Sequence, residues 1–188
     1  MGGVHADIEA WRRREALELT LRRRPDMLET AELSEDDLII LEKARRSDAV
    51  IAALAGHGVC AERMEMFAEA AYEKEWLKAF VPEEKRKSAR KMCIRTKKHV
   101  GWLYQAFSMG YAPCTIGDDA WAGLHALCGE AVLYLNDEGL AFHVDAVEKF
   151  AAALPDMFRR AVISGTGFEW TCAFSAKQGE GPYFKGRE

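Results

Sequence analysis

The feature that most constrains the fold is a change of periodicity near residue 130. Before it, apolar side chains recur every three or four residues in runs punctuated by proline and glycine. After it come short β-branched and aromatic runs separated by tight-turn residues. Residues 132–135 and 140–144 flank Asn136-Asp-Glu-Gly139, a hairpin turn with Gly at its end. A helix over about 145–154 is expected next. Two further strands follow at 160–164 and 168–174, joined by Gly165-Thr-Gly167, and residues 181–184 read as an added edge strand. Helices first and antiparallel strands later define an α+β chain. Its expected form is an N-terminal helical segment followed by helices packed on a small antiparallel sheet of about four strands.

The first helix is expected over 5–24, which holds no breaker. Ile8, Trp11, Glu15 and Leu19 fall on one side of it and Leu17 and Leu21 on another, so it carries two partial apolar stripes. Pro25 stops it. A second helix starts at Ser34, a good N-cap, with Glu35, Asp36 and Asp37 in its first turn where the helix dipole favours acids. The polar run Arg45-Arg46-Ser47-Asp48 reads as a junction, dividing the chain into 1–46 and 47–188. A segment of 46 residues is near the lower limit for folding alone. Further helices are expected at 49–55, 60–80, 82–108 and 118–128.

Of the 188 residues, 49% are hydrophobic and 30% charged, a globular balance. The longest apolar run, 49–56, is far short of the roughly 20 residues a membrane span needs. The N-terminus lacks the basic and apolar regions of a signal peptide. Five scattered cysteines without a CxxC pair suggest reduced thiols and a cytoplasmic protein. The net charge of −4 argues weakly against a nucleic-acid partner, but it averages over contrasting segments. Residues 1–24 hold six arginines against four acids, 26–48 eight acids against three bases, and 83–98 eight bases against two acids.

His5-Ala-Asp-Ile-Glu-Ala-Trp-Arg-Arg13, then Ala16-Leu17, Thr20-Leu21 and Arg23-Arg-Pro-Asp-Met-Leu28, form a long ordered motif, flanked by Gly3-Val4 and by Ser34 onward. It closely resembles the C-terminal domain of the bacterial knotted tRNA (guanine-N1)-methyltransferases, over about residues 3–46. The resemblance implies tRNA as a partner. It also implies, for the parent enzyme, a homodimer and an S-adenosylmethionine site in an N-terminal knotted domain, with a catalytic Asp in the linker before the Gly-x-His. Both lie before the matching segment, so no catalytic residue, cofactor-binding residue or cofactor is expected within this chain. Glu18 and Leu19 stand where the family is usually basic. The residues themselves agree with the implied role: Arg12, Arg13, Arg23 and Arg24 would offer planar donors suited to phosphates. The competing reading is a solvated helix whose arginines pair with Glu9, Glu15 and Glu18. His5 could contact RNA or cap the helix. Trp11 could stack on a base, but its line with Ile8 favours a core anchor.

In the remainder, Trp102-Leu-Tyr-Gln-Ala-Phe-Ser108, Leu133-Tyr134, Phe168-Glu-Trp-Thr171 and Gly181-Pro-Tyr-Phe184 resemble an uncharacterised bacterial domain family, over about 65–185. No activity follows from that. The strongest functional feature here is the basic run 85–98, in which Lys87, Arg90, Lys91 and Lys98 align loosely. Such like-charge density costs helix stability unless an anion compensates. RNA contact and internal pairing with the acidic segment 26–48 account for it equally well. His57-x-x-Cys60 and His125-x-x-Cys128 have a spacing that could ligate zinc, but buried thiols and ordinary histidines explain them better, and no metal site is expected. Trp76, Phe80, Trp102, Phe107, Trp121, Phe150, Phe158 and Trp170 read as core rather than as a base-stacking platform.

The resulting expectation is a tRNA-binding region fused to an α+β domain of unknown role, without activity of its own, belonging to a natural chain or a piece of a longer enzyme. The alternative is a protein–protein interaction module that uses the helical segment as scaffold. An independent metal-dependent or Cys/His enzyme is the least favoured reading.

Overall fold

The computed structural model describes residues 3–94, 96, 101–177 and 180–186. It divides into two compact units, Met1–Val50 and Ile51–Glu188.

The first unit is helical. Helix α1 (Gly3–Arg23) ends where Pro25 denies the ladder a donor, and Arg24 leaves helical geometry at φ −145°, ψ 63°. Pro25 opens the short helix α2 (Pro25–Glu29), where its missing N–H costs nothing. Helix α3 (Glu35–Gly56) begins with a reciprocal cap. The Asp37 N–H donates to Ser34 Oγ at 3.2 Å, and the Ser34 N–H donates to Asp37 Oδ2 at 3.0 Å. The Arg45–Asp48 run, expected to be a junction, lies inside α3. Leu41, Ala44, Ser47, Val50 and Leu54 are buried along the same helix, while Arg45, Arg46 and Asp48 lie on its exposed side. The separate helix expected at 49–55 is therefore the continuation of α3, and the division between units falls within it.

The second unit is built on an antiparallel sheet. Seven strands among the described residues take part, not about four: β1 (Ala61–Arg63), β2 (Thr115–Ile116), β3 (Ala131–Leu135), β4 (Leu140–Val144), β5 (Ala161–Ser164), β6 (Trp170–Ala173) and β7 (Tyr183–Gly186). Their order is β1-β4-β3-β5-β6-β7-β2. The two unforeseen strands are the edges, three and two residues long. Strand β1 lies where a helix over 60–80 was expected, and it exists through its pairing of Ala61–Arg63 with Val144–Phe142. Strand β7, expected at an edge, lies between β6 and β2.

Pairing register assigns the faces. Val132, Tyr134, Val162 and Ala173 share one face and are buried against helices α4 (Met66–Phe80) and α5 (Glu83–Cys93) and residues 101–112. Helix α4 docks through Glu69, Tyr72, Glu73 and Trp76, spaced three and four apart. Tyr72 Oη shares a hydrogen bond with Ser164 Oγ at 2.8 Å, Trp76 Nε1 donates to Thr171 Oγ1 at 2.9 Å, and Tyr134 Oη donates to Glu73 Oε1 at 2.9 Å. Arg63 forks onto the Glu69 carboxylate with two 3.0 Å bonds, tying β1 to α4. Buried polar groups are thus partnered across the helix–sheet layer, which fixes one docking position among many that greasy surfaces would tolerate.

The opposite parity places Leu133, Leu135, Phe142, Ile163 and Cys172 on the other face, all fully buried. Helix α7 (Gly117–His125) lies against β7 there, so close that a side chain at Gly123 would meet the Phe184 ring. The helix expected over 145–154 is instead two 3-10 turns, Val147–Lys149 and Ala151–Ala153, leading into a four-residue helix, Leu154–Met157. Their Val147, Phe150 and Leu154 are buried.

Candidate nucleic-acid interface

Helix α1 sorts its cationic residues by face. At 100° per residue, Leu17 and Leu21 project to one side, and these are the positions the unit covers: Leu17 is buried and Leu21 half-buried. The other stripe stays open. Trp11 is 39% exposed, Ile8 38% and Leu19 49%, so Trp11 is not the core anchor that its line with Ile8 suggested. A helix packed along one side buries one stripe, and here the Leu17 stripe is the buried one.

His5, Arg12 and Arg23 lie on this open side. Their separations of 7 and 11 residues are close to two and three full turns, so the three fall on one line roughly 27 Å long. All three are exposed. Arg13 and Arg24 are engaged elsewhere. Arg13 forks onto Asp37, with Nε to Oδ1 at 2.8 Å and Nη2 to Oδ2 at 2.7 Å. The Arg13 fork, helped by the Ser34 backbone N–H, holds the Asp37 carboxyl well below the usual carboxylate range. Arg24 forks onto Asp26 at 3.0 and 2.7 Å and lowers that carboxyl too. Neither partner is among the glutamates suggested by sequence proximity. Glu18 takes Arg14 instead, at 2.8 Å. The signals were present: Asp26 stands two residues beyond Arg24, and Asp37 is the N3 position of the Ser34 cap.

In the second unit, α5 ends at Cys93 rather than running to Ser108, and Gln105–Ser108 form a separate single turn. Ala89 and Cys93 form its buried side. Lys87 and Lys91 project on the far side and Arg90 on the flank toward α4; all three are exposed and make no ion pair among the described residues. Two other cations of the basic run have structural duties. Lys85 Nζ reaches the Gly110 carbonyl at 3.0 Å. Arg86 donates to the Val81 and Lys78 carbonyls, both at 2.8 Å, closing the end of α4. Arg95, Lys97 and Lys98 lie outside the described residues.

Among the described residues, no group of three or more His, Cys, Asp or Glu side chains is arranged to hold a metal ion, and no helix is long and apolar enough to cross a membrane. Burial pushes the Cys93 thiol up to about 12, with Glu73 adding to the shift, and raises Cys172 as well. Trp76, Phe80, Phe107, Phe150 and Phe158 are core. Trp102, Trp121 and Trp170 are half-buried. Trp102 is capped by the Arg160 guanidinium 4.5 Å from the ring centroid, and its Nε1 donates to Asp137 at 3.0 Å.

Comparison with known proteins bears on the first of these surfaces. Part of this chain is similar to tRNA (guanine-N(1)-)-methyltransferases. The protein of that name from Exiguobacterium sibiricum is 65% identical over 37 residues, covering 20% of this chain and 15% of the relative. Its counterpart from Koribacter versatilis is 56% identical over 43 residues, 23% of this chain and 16% of the relative. That from Pediococcus pentosaceus is 48% identical over 48 residues, 26% and 20%. The chain thus spans between about a seventh and a fifth of the length of these methyltransferases. No family model and no solved structure matches the chain.

Proposed function

We propose that the N-terminal unit is a tRNA-docking module, related to the matching part of the tRNA (guanine-N1)-methyltransferases, and that it carries no methyl transfer by itself. The observation that carries this reading is the single exposed line of His5, Arg12 and Arg23 beside the open face of Trp11. Guanidinium groups suit phosphate, and an exposed indole suits a splayed base. Arg13 and Arg24 act indirectly, the first by holding α1 to the start of α3. Lys87, Arg90 and Lys91 supply sequence-independent attraction from the second unit.

The test is tRNA binding by the whole chain, followed by fluorescence anisotropy from 50 to 200 mM salt. If Arg12 and Arg23 each neutralise one phosphate, R12A/R23A flattens the log–log salt slope by about 1.8. Over that fourfold salt range the intact chain then weakens roughly 12-fold more than the variant. An unchanged slope in R12A/R23A overturns the reading, and equal affinity for an unrelated RNA of the same length removes its specificity. Methyl transfer by this chain alone would overturn the second clause. A protein–protein module is the second reading, favoured by the exposure of Leu38 and Ile39 on α3, at 54% and 53%. Self-association that disappears in L38E/I39E, with RNA binding unaltered by the arginine changes, would establish it.

A further inference from the structure

Helices α4 and α5 meet at an angle set by Val81 and Pro82, and a small cleft opens between them. Its volume is about 160 Å³, and it is lined by Lys74, Leu77, Lys78, Arg86, Arg90 and Ile94. Four of the six lining residues are cations and none is an acid. Lys74 and Lys78 are one turn apart on α4, and Arg86 and Arg90 are one turn apart on α5. Each pair is a like-charge i,i+4 pair, which by itself disfavours its helix. The fold turns the two pairs toward the same space instead of dispersing them.

Three further observations mark this space as suited to an anion. The Arg86 guanidinium is fixed, because Nε and Nη2 are held by the Val81 and Lys78 carbonyls at 2.8 Å, so its position is set before any ligand arrives. The cleft wall is apolar: Leu77 is 3% exposed and Ile94 8%, and low-dielectric walls strengthen the field of the charges around them. The nearest counter-charge among the described residues is outside the lining and weakly placed. Glu75 stands 3.6 Å from Lys78, with both side chains more than half exposed. Lys74 and Arg90 have no ion pair among the described residues. The volume equals that of roughly five waters, room for one tetrahedral oxyanion and not for a whole nucleoside.

We infer that the α4–α5 cleft is a phosphate-binding site, formed by Lys74, Lys78 and Arg90 around the anchored Arg86. Its ligand is a phosphate group with the rest of its molecule outside the cleft, either a phosphodiester of an RNA strand or the terminal phosphate of a mononucleotide. The cleft lies wholly within Ile51–Glu188, so the inference does not rest on the tRNA reading of the N-terminal unit.

The experiment uses the full chain and two probes, a 5′-hydroxyl uridine dodecamer followed by anisotropy and uridine 5′-monophosphate followed by calorimetry. The variant is K74A/K78A/R90A, which spares Arg86. The control is R159A/K177A, which removes two exposed charges of the second unit that do not line the cleft. If three phosphate contacts are lost, the salt slope for the dodecamer flattens by about 2, and from 50 to 200 mM salt the intact chain weakens roughly 20-fold more than the variant. The control changes the slope by less than half as much. Dodecamer binding without monophosphate binding identifies the phosphodiester, and competition between the two identifies the terminal phosphate. Should the triple variant melt early, K74Q/K78Q replaces it and is compared with K74R/K78R, which keeps the charge and retains binding. Equal slopes in variant and intact chain, an effect equal to that of the control, or binding of neither probe overturns the inference.

Discussion

Replacing Thr171 by Val tests whether the polar layer between α4 and the sheet holds the second unit in one arrangement. Thr171 is fully buried on β6. Its Oγ1 accepts the Trp76 indole N–H at 2.9 Å and donates to the Ile163 carbonyl at 3.0 Å. Valine has the same shape, so packing is kept while the acceptor vanishes. The indole N–H of Trp76, itself fully buried, then faces a methyl group. Stranding a buried donor costs about 1–3 kcal/mol, and burying the new methyl returns roughly 0.8 kcal/mol. The net loss is about 0.2–2.2 kcal/mol, centred near 1.2, or roughly 2–5 °C in Tm at that centre for a chain of this size. In W76F/T171V the stranded donor is gone, so the double change costs less than the sum of its parts by about 1 kcal/mol. Urea unfolding of all four members of the cycle, followed by circular dichroism, measures this. T171V more stable than the parent, or an additive cycle, would refute the reasoning.

The depressed Asp37 carboxyl gives the N-terminal unit an acid limit. The group is lowered in the folded state, so the stability it contributes is present above its unfolded value of about 3.9 and is lost as pH falls below it. The Tm advantage of the parent over D37N should be constant from pH 7 to 5 and shrink below pH 4, and a pH-independent difference would contradict the Arg13–Asp37 assignment. Thiol labelling of the native chain should modify the exposed Cys60 and Cys128 first and leave Cys93 and Cys172 protected until unfolding, as their burial dictates. Rapid labelling of Cys172 would place β6 outside the core.

Local chemistry was legible wherever a residue acts on its own neighbours. Pro25 ends α1, Ser34 caps α3, and the turn at 136–139 joins β3 to β4, all as the sequence suggests. What it concealed depends on distant partners. Strands β1 and β2 are too short to carry a pattern, and they form through β4 and β7, which are roughly seventy to eighty residues further along. The Arg45–Asp48 run looks like a break because four polar residues are adjacent, yet only helix geometry decides that three of them face water. The candidate interface divided in the same way. Exposure of Arg12 and Arg23 follows from their spacing, whereas the engagement of Arg13 requires α3 to be in place. The exposure of Trp11 is hidden in the sequence, because periodicity identifies stripes without saying which of two is covered.

The place of β7 has a consequence for how this chain is made. Synthesis delivers β3, β4, β5 and β6 in an order that lets each pair at once with a neighbour already present or soon to follow. Strand β2 emerges before all of these and waits, because the strand it pairs with comes 67 residues after it. Until residue 186 clears the ribosome, β6 presents an open edge and α7 has no Phe184 to pack on. At ordinary elongation rates of about 5–20 residues per second, the stretch from Ala173 to Gly186 takes roughly 1–3 seconds, long compared with hairpin formation. The nascent second unit therefore passes through a stage in which a strand buried over three of its four residues in the finished protein is an exposed template for pairing, and ribosome-associated chaperones would find a window there.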